Sequence, residues 1–394
     1  MIIDNADVLI TGYVLLFCSC WLWFYLTAAR HLIKAPRLGE GPLPTPDRWP
    51  RLSVIIAACN EADTIKTALT TLLQEDYPDL ELIVVDDRSS DGTGAIVEAI
   101  AATDPRVQAI HIDILPPGWL GKVHALRQGS QRAAGEWLLF TDADVHFARG
   151  TLREAMALTL AQGYDHLALL PGLKPTGSLW LEAAITAFLL GFIRATGPAN
   201  LHDNPKAMIG IGAFNLVKKS TFDKTAGFAW LRLEVLDDVG LGLLIKRAGG
   251  KSGFAMALQH LGIAWYPSVA AMFQGMEKNL FGAAARYSYW RAAGIVAFSW
   301  LLFAAPTVAL IRIDIPYLWL AGVLAYAISM LLAVLVWSKT RTQLLPGLLA
   351  PIGHLLISFM LLRSAVRCWR QGGIAWRGTV YSLDELREGQ RVIF

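Results

Sequence analysis

Residues 138–145 read LLFTDADV, an apolar run of strand character that closes on two carboxylates, Asp142 and Asp144, separated by one small residue. In open α/β sheets, ligands bind beyond the carboxyl ends of the strands. A carboxylate pair at such an end suits Mg²⁺ or Mn²⁺ shared with a substrate diphosphate, because Mg²⁺ takes few protein ligands and fills its shell with phosphate and water oxygens. Alone the pair is a weak signal, since solvated Asp pairs at turns are common. Two upstream stretches repeat the form. Residues 82–93, LIVVDDRSSDGT, end a strand at Asp86 and Asp87 before a turn into a helix, and residues 53–61, SVIIAACNE, end another at Asn60 and Glu61. Three strand ends carrying Asn-Glu, Asp-Asp and Asp-x-Asp describe one polar cleft beside a metal.

Around these stretches, short β-rich runs alternate with amphipathic helical ones, the pattern of an α/β domain. Strands are expected at 53–57, 80–85, 107–112, 137–141 and 166–171, and helices at 63–73, 93–102, 122–133 and 150–162. Continuous apolar strands such as SVIIA and LIVVD predict a mostly parallel sheet with helices on both faces.

The whole chain is too apolar for an ordinary soluble enzyme: of 394 residues 54% are hydrophobic and 17% charged, and mean hydropathy is +0.43. Those figures also exclude a disordered chain. A net charge of +3 gives no sign of a nucleic-acid partner. Cys18, Cys20, Cys59 and Cys368 lack metal-ligand spacing and scaffold density, and read as free thiols.

Residues 8–29 are an apolar run of bilayer length. It is too long for a signal peptide and lacks a basic n-region. Asp4 and Asp7 precede it and Arg30, His31, Lys34 and Arg37 follow, so the positive-inside rule predicts an N-terminus outside and a cytoplasmic domain. The expected organisation is an anchor over 1–37, the α/β domain over 38–270 with an interfacial helix near 179–193, an amphipathic interfacial helix over 271–291, apolar helices over 292–362 and a tail over 363–394. Within 292–362, residues 292–311 and 317–337 read as spans. Residues 344–362, interrupted by Pro346, Gly347, Pro351 and Gly353, are either a third span or re-entrant.

SVIIAACNE, VVDDRSSDGT and TDADV, in this order and at these spacings, resemble the nucleotide-sugar-binding domain of family 2 glycosyltransferases with the GT-A fold, over roughly residues 50–260. The resemblance implies that Ala57, Asn60, Glu61, Asp86 and Asp87 contact the nucleotide. It further implies that Asp142 and Asp144 hold Mg²⁺ or Mn²⁺ with the sugar diphosphate, and that the donor is a UDP-sugar, or else a GDP-sugar. GWLGKVHALRQG (118–129) resembles the G-K-x-x-A-L segment of membrane-bound members that act on lipids, with Lys122 beside a helix N-terminus where it would neutralise diphosphate charge. EVLDDVGLGLLIKRAGG (234–250) resembles the family's E-D-x-x-L…G segment, with Asp237 in place of the usual Glu and Asp238 as general base.

The Q/R-x-x-R-W motif of processive synthases and ceramide glucosyltransferase is absent from FQGMEKNLFGAAA (273–285). Residues 276–283 instead look like the G-W-x-K-N…G-A stretch of carotenoid-acid glycosyltransferases. The tail IAWRGTVY (374–381) resembles the W-R-G…Y ending of that group and of hopene-associated and ceramide glucosyltransferases, which marks Lys278 and Arg377 as candidate phosphate or acceptor contacts. The expected activity is inverting, metal-dependent transfer of one sugar from a nucleotide-sugar to a membrane lipid, by a multi-pass protein of the cell's inner (plasma) membrane with its catalytic domain in the cytoplasm. A polyprenyl-phosphate sugar synthase and a non-catalytic lipid-binding protein on the same fold are the alternatives.

Overall fold

The computed structural model describes residues 5–198, 201–202, 204, 206–340 and 342–394. An apolar helix, α1 (Asn5–Lys34), leads into alternating elements: β1 (Leu52–Ala58), α2 (Ile65–Leu73), β2 (Leu80–Asp87), α3 (Thr93–Ala101), β3 (Val107–Ile112), α4 (Gly121–Arg132), β4 (Trp137–Asp142), β5 (His146–Phe147), α5 (Thr151–Gln162) and β6 (His166–Leu173). Then follow α6 (Leu179–Thr196), β7 (Asn215–Lys218), α7 (Lys219–Phe222), α8 (Asp237–Arg247), β8 (Ser252–Ile263), α9 (Val269–Ala285), α10 (Tyr289–Ile311), α11 (Pro316–Thr340), α12 (Leu344–Leu348), α13 (Ala350–Gln371), β9 (Gly373–Trp376), β10 (Thr379–Ser382) and α14 (Leu383–Gly389).

Among the described residues, eight strands form one mixed sheet in the order β3-β2-β1-β4-β7-β6-β8-β5. The run β3-β2-β1-β4 is parallel, and its ends are level: Ala57 stands beside Val85 on one side and Asp142 on the other. The polar residues that follow these strands therefore meet at one edge. Ile55, Ile83, Val85, Leu138 and Phe140 pack on α4 on one face, while Val54, Ile56, Leu82, Val84 and Leu139 pack beneath α2 and α5 on the other. β7 enters antiparallel between β4 and β6. It has only four residues, the first three buried in succession and Lys218 exposed, and so leaves no period in the sequence.

Among the described residues, five helices are long and apolar enough to cross a membrane: α1, α6, α10, α11 and α13. α10 and α11 form a hairpin, with Gly322 of α11 seated on Pro306, Ala309 and Leu310. α1 lies along it: Asp7 pairs with Arg312 at 2.8 Å at the end far from the sheet, Trp21 Nε1 donates to Ser329 Oγ at 2.7 Å midway, and Arg37 donates to the Lys339 carbonyl at the sheet end.

α6 does not pass to the far end of this bundle. Gly212 donates its N–H to Asp238 and accepts that of Asp142, so the residues before and after α6 meet at one point. Its buried face includes Leu181, Ala184, Ala187 and Leu190, while Trp180 stays half exposed. The stretch 344–371 is not one continuous helix. It breaks at Leu349, α13 packs on α6 closely enough that a Cβ on Gly353 would overlap the Ala183 carbonyl, and the chain then returns to the sheet. Expected as one helix, 271–291 divides at Arg286 and Tyr287, whose φ values of +50° and +53° turn α9 into α10.

The tail is folded onto the α/β body. Glu234, buried just ahead of α8, accepts the N–H groups of Arg391 at 2.6 Å and Val392 at 2.9 Å. Residues that follow the apolar helices thus pack against the α/β body.

Candidate active site

The ends of β1, β2 and β4 open on a cleft of about 700 Å³, lined by Ala57, Glu61, Asp87, Asp142, Asp144 and Lys122 from the sheet side. Its opposite wall is made of Trp265 and Tyr266 after β8, Gln274, Gly275 and Lys278 of α9, and Trp376, Arg377 and Tyr381 of the β9–β10 hairpin. The loops at the sheet edge are stitched together. Asn60, at φ +57°, accepts the Ser90 N–H on its side-chain oxygen at 2.8 Å, Ala62 N–H donates to Asp91 at 2.9 Å, and Glu61 N–H donates to Thr93 Oγ1 at 2.8 Å.

The cleft does not gather every expected residue. Asp86 and Asp87 are adjacent on a strand and so point to opposite faces. Asp87 lines the cleft, held by both guanidinium arms of Arg88 at 2.8 and 3.0 Å, whereas Asp86 turns away to His111 Nδ1 at 3.2 Å. Asn60 is spent on the Ser89–Ser90 turn, where it braces the edge and does not face the cleft. Asp237 and Asp238 lie behind it, lining a small separate cavity together with Lys122, Asp142 and Gly212.

Lys122 is the partition. Its ammonium sits 2.7 Å from Asp142 and 3.3 Å from Asp237. Burial opposes its charge, but Asp142, Asp237 and Asp238 more than offset that and hold its pKa above the ordinary lysine value. Asp238 accepts the Gly212 N–H at 3.0 Å and the Val239 N–H at 2.8 Å. Burial and the neighbouring Asp237 raise its proton affinity, and Lys122 restrains the rise. Asp144 is pushed up to about 7 by burial, Asp142 and Glu61, so it is a carboxylate short of countercharge.

Among the described residues, no group of three or more His, Cys, Asp and Glu side chains stands ready to hold a metal by itself. Asp142 and Asp144 nevertheless fit Mg²⁺ or Mn²⁺, which accept one or two carboxylates when phosphates supply the remaining oxygens.

Across the cleft, Lys278 Nζ lies 3.8 Å from the centre of the Trp376 ring. Burial, with Lys122 adding to it, lowers its pKa to about 8. Arg377 donates to the Cys59 carbonyl and, at 2.9 Å, to Glu61. It stands at φ +49° beside Gly378 at φ +81°, in the two-residue loop joining β9 to β10. Such a loop favours Asn-Gly, so an arginine there carries backbone strain.

Several participants escaped the sequence reading. Gly210 and Gly212 thread a loop against α8, where a Cβ would overlap the Asp238 carbonyl or the Asp142 carboxylate. The G-x-G within MIGIGAFN (208–215) was their one signal. Gly121, Arg88 and Trp376 stand inside the quoted G-K, VVDDRSSDGT and W-R-G stretches without being singled out there, Gly121 lacking a Cβ for the same reason beside Asp87, while Trp265 and Tyr266 carry no motif that reads without the fold.

Residues 53–240 match the family model Glycosyl transferase family 2. The GalNAc(5)-diNAcBac-PP-undecaprenol beta-1,3-glucosyltransferase of Campylobacter jejuni is 31% identical over 30% of this chain and 37% of its own. The 4,4'-diaponeurosporenoate glycosyltransferase of Staphylococcus aureus is 33% identical over 32% of this chain and 31% of its own. The chain thus spans about a third of the length of the curated relatives it matches. Mannosyltransferase PcManGT from Pyrobaculum calidifontis, solved in complex with GDP-Man and Mn²⁺, shares the fold with a TM-score of 0.54 at 19% identity, over 92% of this chain and 99% of that one. Over residues 53–240 the chain is thus similar to family 2 glycosyltransferases, on a fold shared with that mannosyltransferase and set among apolar helices.

Proposed function

We propose that the protein transfers a single sugar from a nucleotide-sugar, a UDP-sugar by preference, to a lipid acceptor at the cytoplasmic face of a membrane, with inversion at the anomeric carbon. The observation that carries this reading is the continuity of the cleft with the apolar helices: the wall bearing Lys278 is α9, which turns directly into α10. A site tethered in this way reacts with a head group that never leaves the bilayer surface.

The nucleotide lies along Ala57, Glu61, Asp87 and Arg377, and its diphosphate faces Asp142 and Asp144. A divalent cation held there would stabilise charge on the departing diphosphate. Lys122 is within reach of the same charge. Drawn toward the diphosphate, its ammonium leaves Asp142 and joins the small cavity of Asp238 to the cleft. Asp238, with its raised proton affinity, then takes the proton from an attacking hydroxyl. Lys278 and Arg377 add positive charge from the opposite wall.

In this reading α1, α10 and α11 cross the membrane, while α6, α12 and α13 lie at its surface. Arg30, Lys34 and Arg37, with Arg363, Arg367, Arg370 and Arg377, then fall on the sheet side, which the positive-inside rule makes cytoplasmic. The S. aureus and C. jejuni relatives, named for 4,4'-diaponeurosporenoate and for GalNAc(5)-diNAcBac-PP-undecaprenol, support a lipid-linked acceptor.

The test is nucleotide release from UDP- and GDP-sugars by the full chain in detergent, with Mn²⁺ or Mg²⁺ and a total lipid extract. Release that needs both lipid and cation, and falls roughly 100-fold or more in Asp144→Asn and Asp238→Asn, is expected. Full activity in Asp238→Asn would point to an acceptor phosphate, which needs no base. Nucleotide binding without turnover of any donor would favour the non-catalytic alternative.

A further inference from the structure

The fully buried aromatic side chains Phe214, Phe228 and Phe281 belong to cores closed on every side. Four others behave differently. Phe192 and Phe188 of α6 stack with ring centres 6.2 Å apart, Phe188 meets Trp265 at 5.0 Å, and Trp265 meets Tyr266 at 5.1 Å. All four are only half-buried, so each ring keeps part of its surface open. The last two line the cleft.

The row runs along the seam between the α/β body and the apolar helices. Its far end packs on Met208, Val239 and Val392, and its near end lies by Asp144; burial, with that carboxylate adding to it, suppresses ionisation of Tyr266. Gly275 of α9 makes room for that near end, since a Cβ there would run into the Tyr266 ring and hydroxyl. A line of open rings beside a charged cleft is costly in water. It is favourable when an apolar chain covers it.

We propose that this row is the acceptor path. The hydrocarbon chain of a membrane lipid lies along Phe192, Phe188 and Trp265, and its polar head reaches Tyr266 and the cleft beside Asp144. The proposal rests on the transferase reading for the head group's fate, but the chain-binding seam is testable without turnover. The occupant is a single lipid chain, because the helix that carries the row is itself long and apolar enough to lie in a membrane. Replacing Phe188 removes the middle of the path without touching the strand-end carboxylates.

The experiment uses the full chain in phosphatidylcholine nanodiscs with a sixteen-carbon fatty alcohol bearing a mid-chain diazirine, followed by irradiation and peptide mapping. The expected result is labelling of residues 188–192 and 264–266 that falls at least fivefold in Phe188→Ala and is competed by the total lipid extract. Labelling confined to α1, α10 and α11, or insensitive to the lipid extract, overturns the proposal, and these two readouts need only the wild-type chain. In the activity arm, Phe188→Ala and the milder Phe188→Leu raise the lipid concentration for half-maximal transfer about tenfold and about threefold, with UDP binding unchanged as the check of folding. An unchanged lipid dependence in both overturns the path as the productive one. If no donor is turned over but labelling follows the row, the transferase reading fails and the lipid site stands.

Discussion

Lys122→Met removes the ammonium from between its carboxylates while keeping an unbranched side chain of similar length. The wild-type lysine makes contacts of 2.7 and 3.3 Å, with about a quarter of its side chain and a third of that of Asp142 open to solvent. Removing one partner of a buried ion pair costs about 3–5 kcal/mol, and the partial exposure places this site at the low end, about 3 kcal/mol. For a body of this size that is a fall in Tm of roughly 6–12 °C. The loss also depends on pH. Asp238 is already raised by burial and by Asp237, and loses the charge that restrained it. A group whose folded-state pKa lies above its unfolded value loses stability as pH rises through the folded value, so the variant should be hurt more at pH 8 than at pH 6. Thermal melting in detergent at both values, with and without UDP, measures this. A Tm within 2 °C of wild type at pH 8, or a loss equal at the two pH values, would refute the reasoning and mean that the lysine is solvated.

Four further outcomes follow from the same geometry. Arg377→Asn gives the β9–β10 loop a residue suited to positive φ, so Tm should hold or rise slightly while the Kd for UDP increases about fivefold by calorimetry. Gly121→Ala places a methyl group against Asp87 and Arg88, and should cost about 1–3 kcal/mol in denaturant unfolding along with nucleotide binding. Lys278, lowered to about 8, carries its charge below that value, so UDP affinity should fall as pH rises from 7 to 9 and become flat across that range in Lys278→Gln. Glu234→Ala leaves the Arg391 and Val392 N–H groups without their acceptor, at a cost of about 1–3 kcal/mol, and hydrogen exchange should show residues 390–394 losing protection first.

The parallel half of the sheet and the strand ends that carry its polar residues are legible in the sequence. SVIIA, LIVVD and WLLFT are buried on both faces and must be apolar throughout, so their polar ends stand out locally. Which of two neighbouring acids faces the cleft emerges from the assembled fold alone, because alternation separates Asp86 from Asp87 without saying which side holds the ligand. The assembled fold also decided that Asp238 stands behind Lys122, that β7 enters antiparallel, and that α13 returns to the sheet side and delivers Arg377 to Cys59, 318 positions earlier in the chain. Contacts at that separation are set by how whole elements dock, and docking depends on shape and buried area summed over many side chains. No local spacing records that sum.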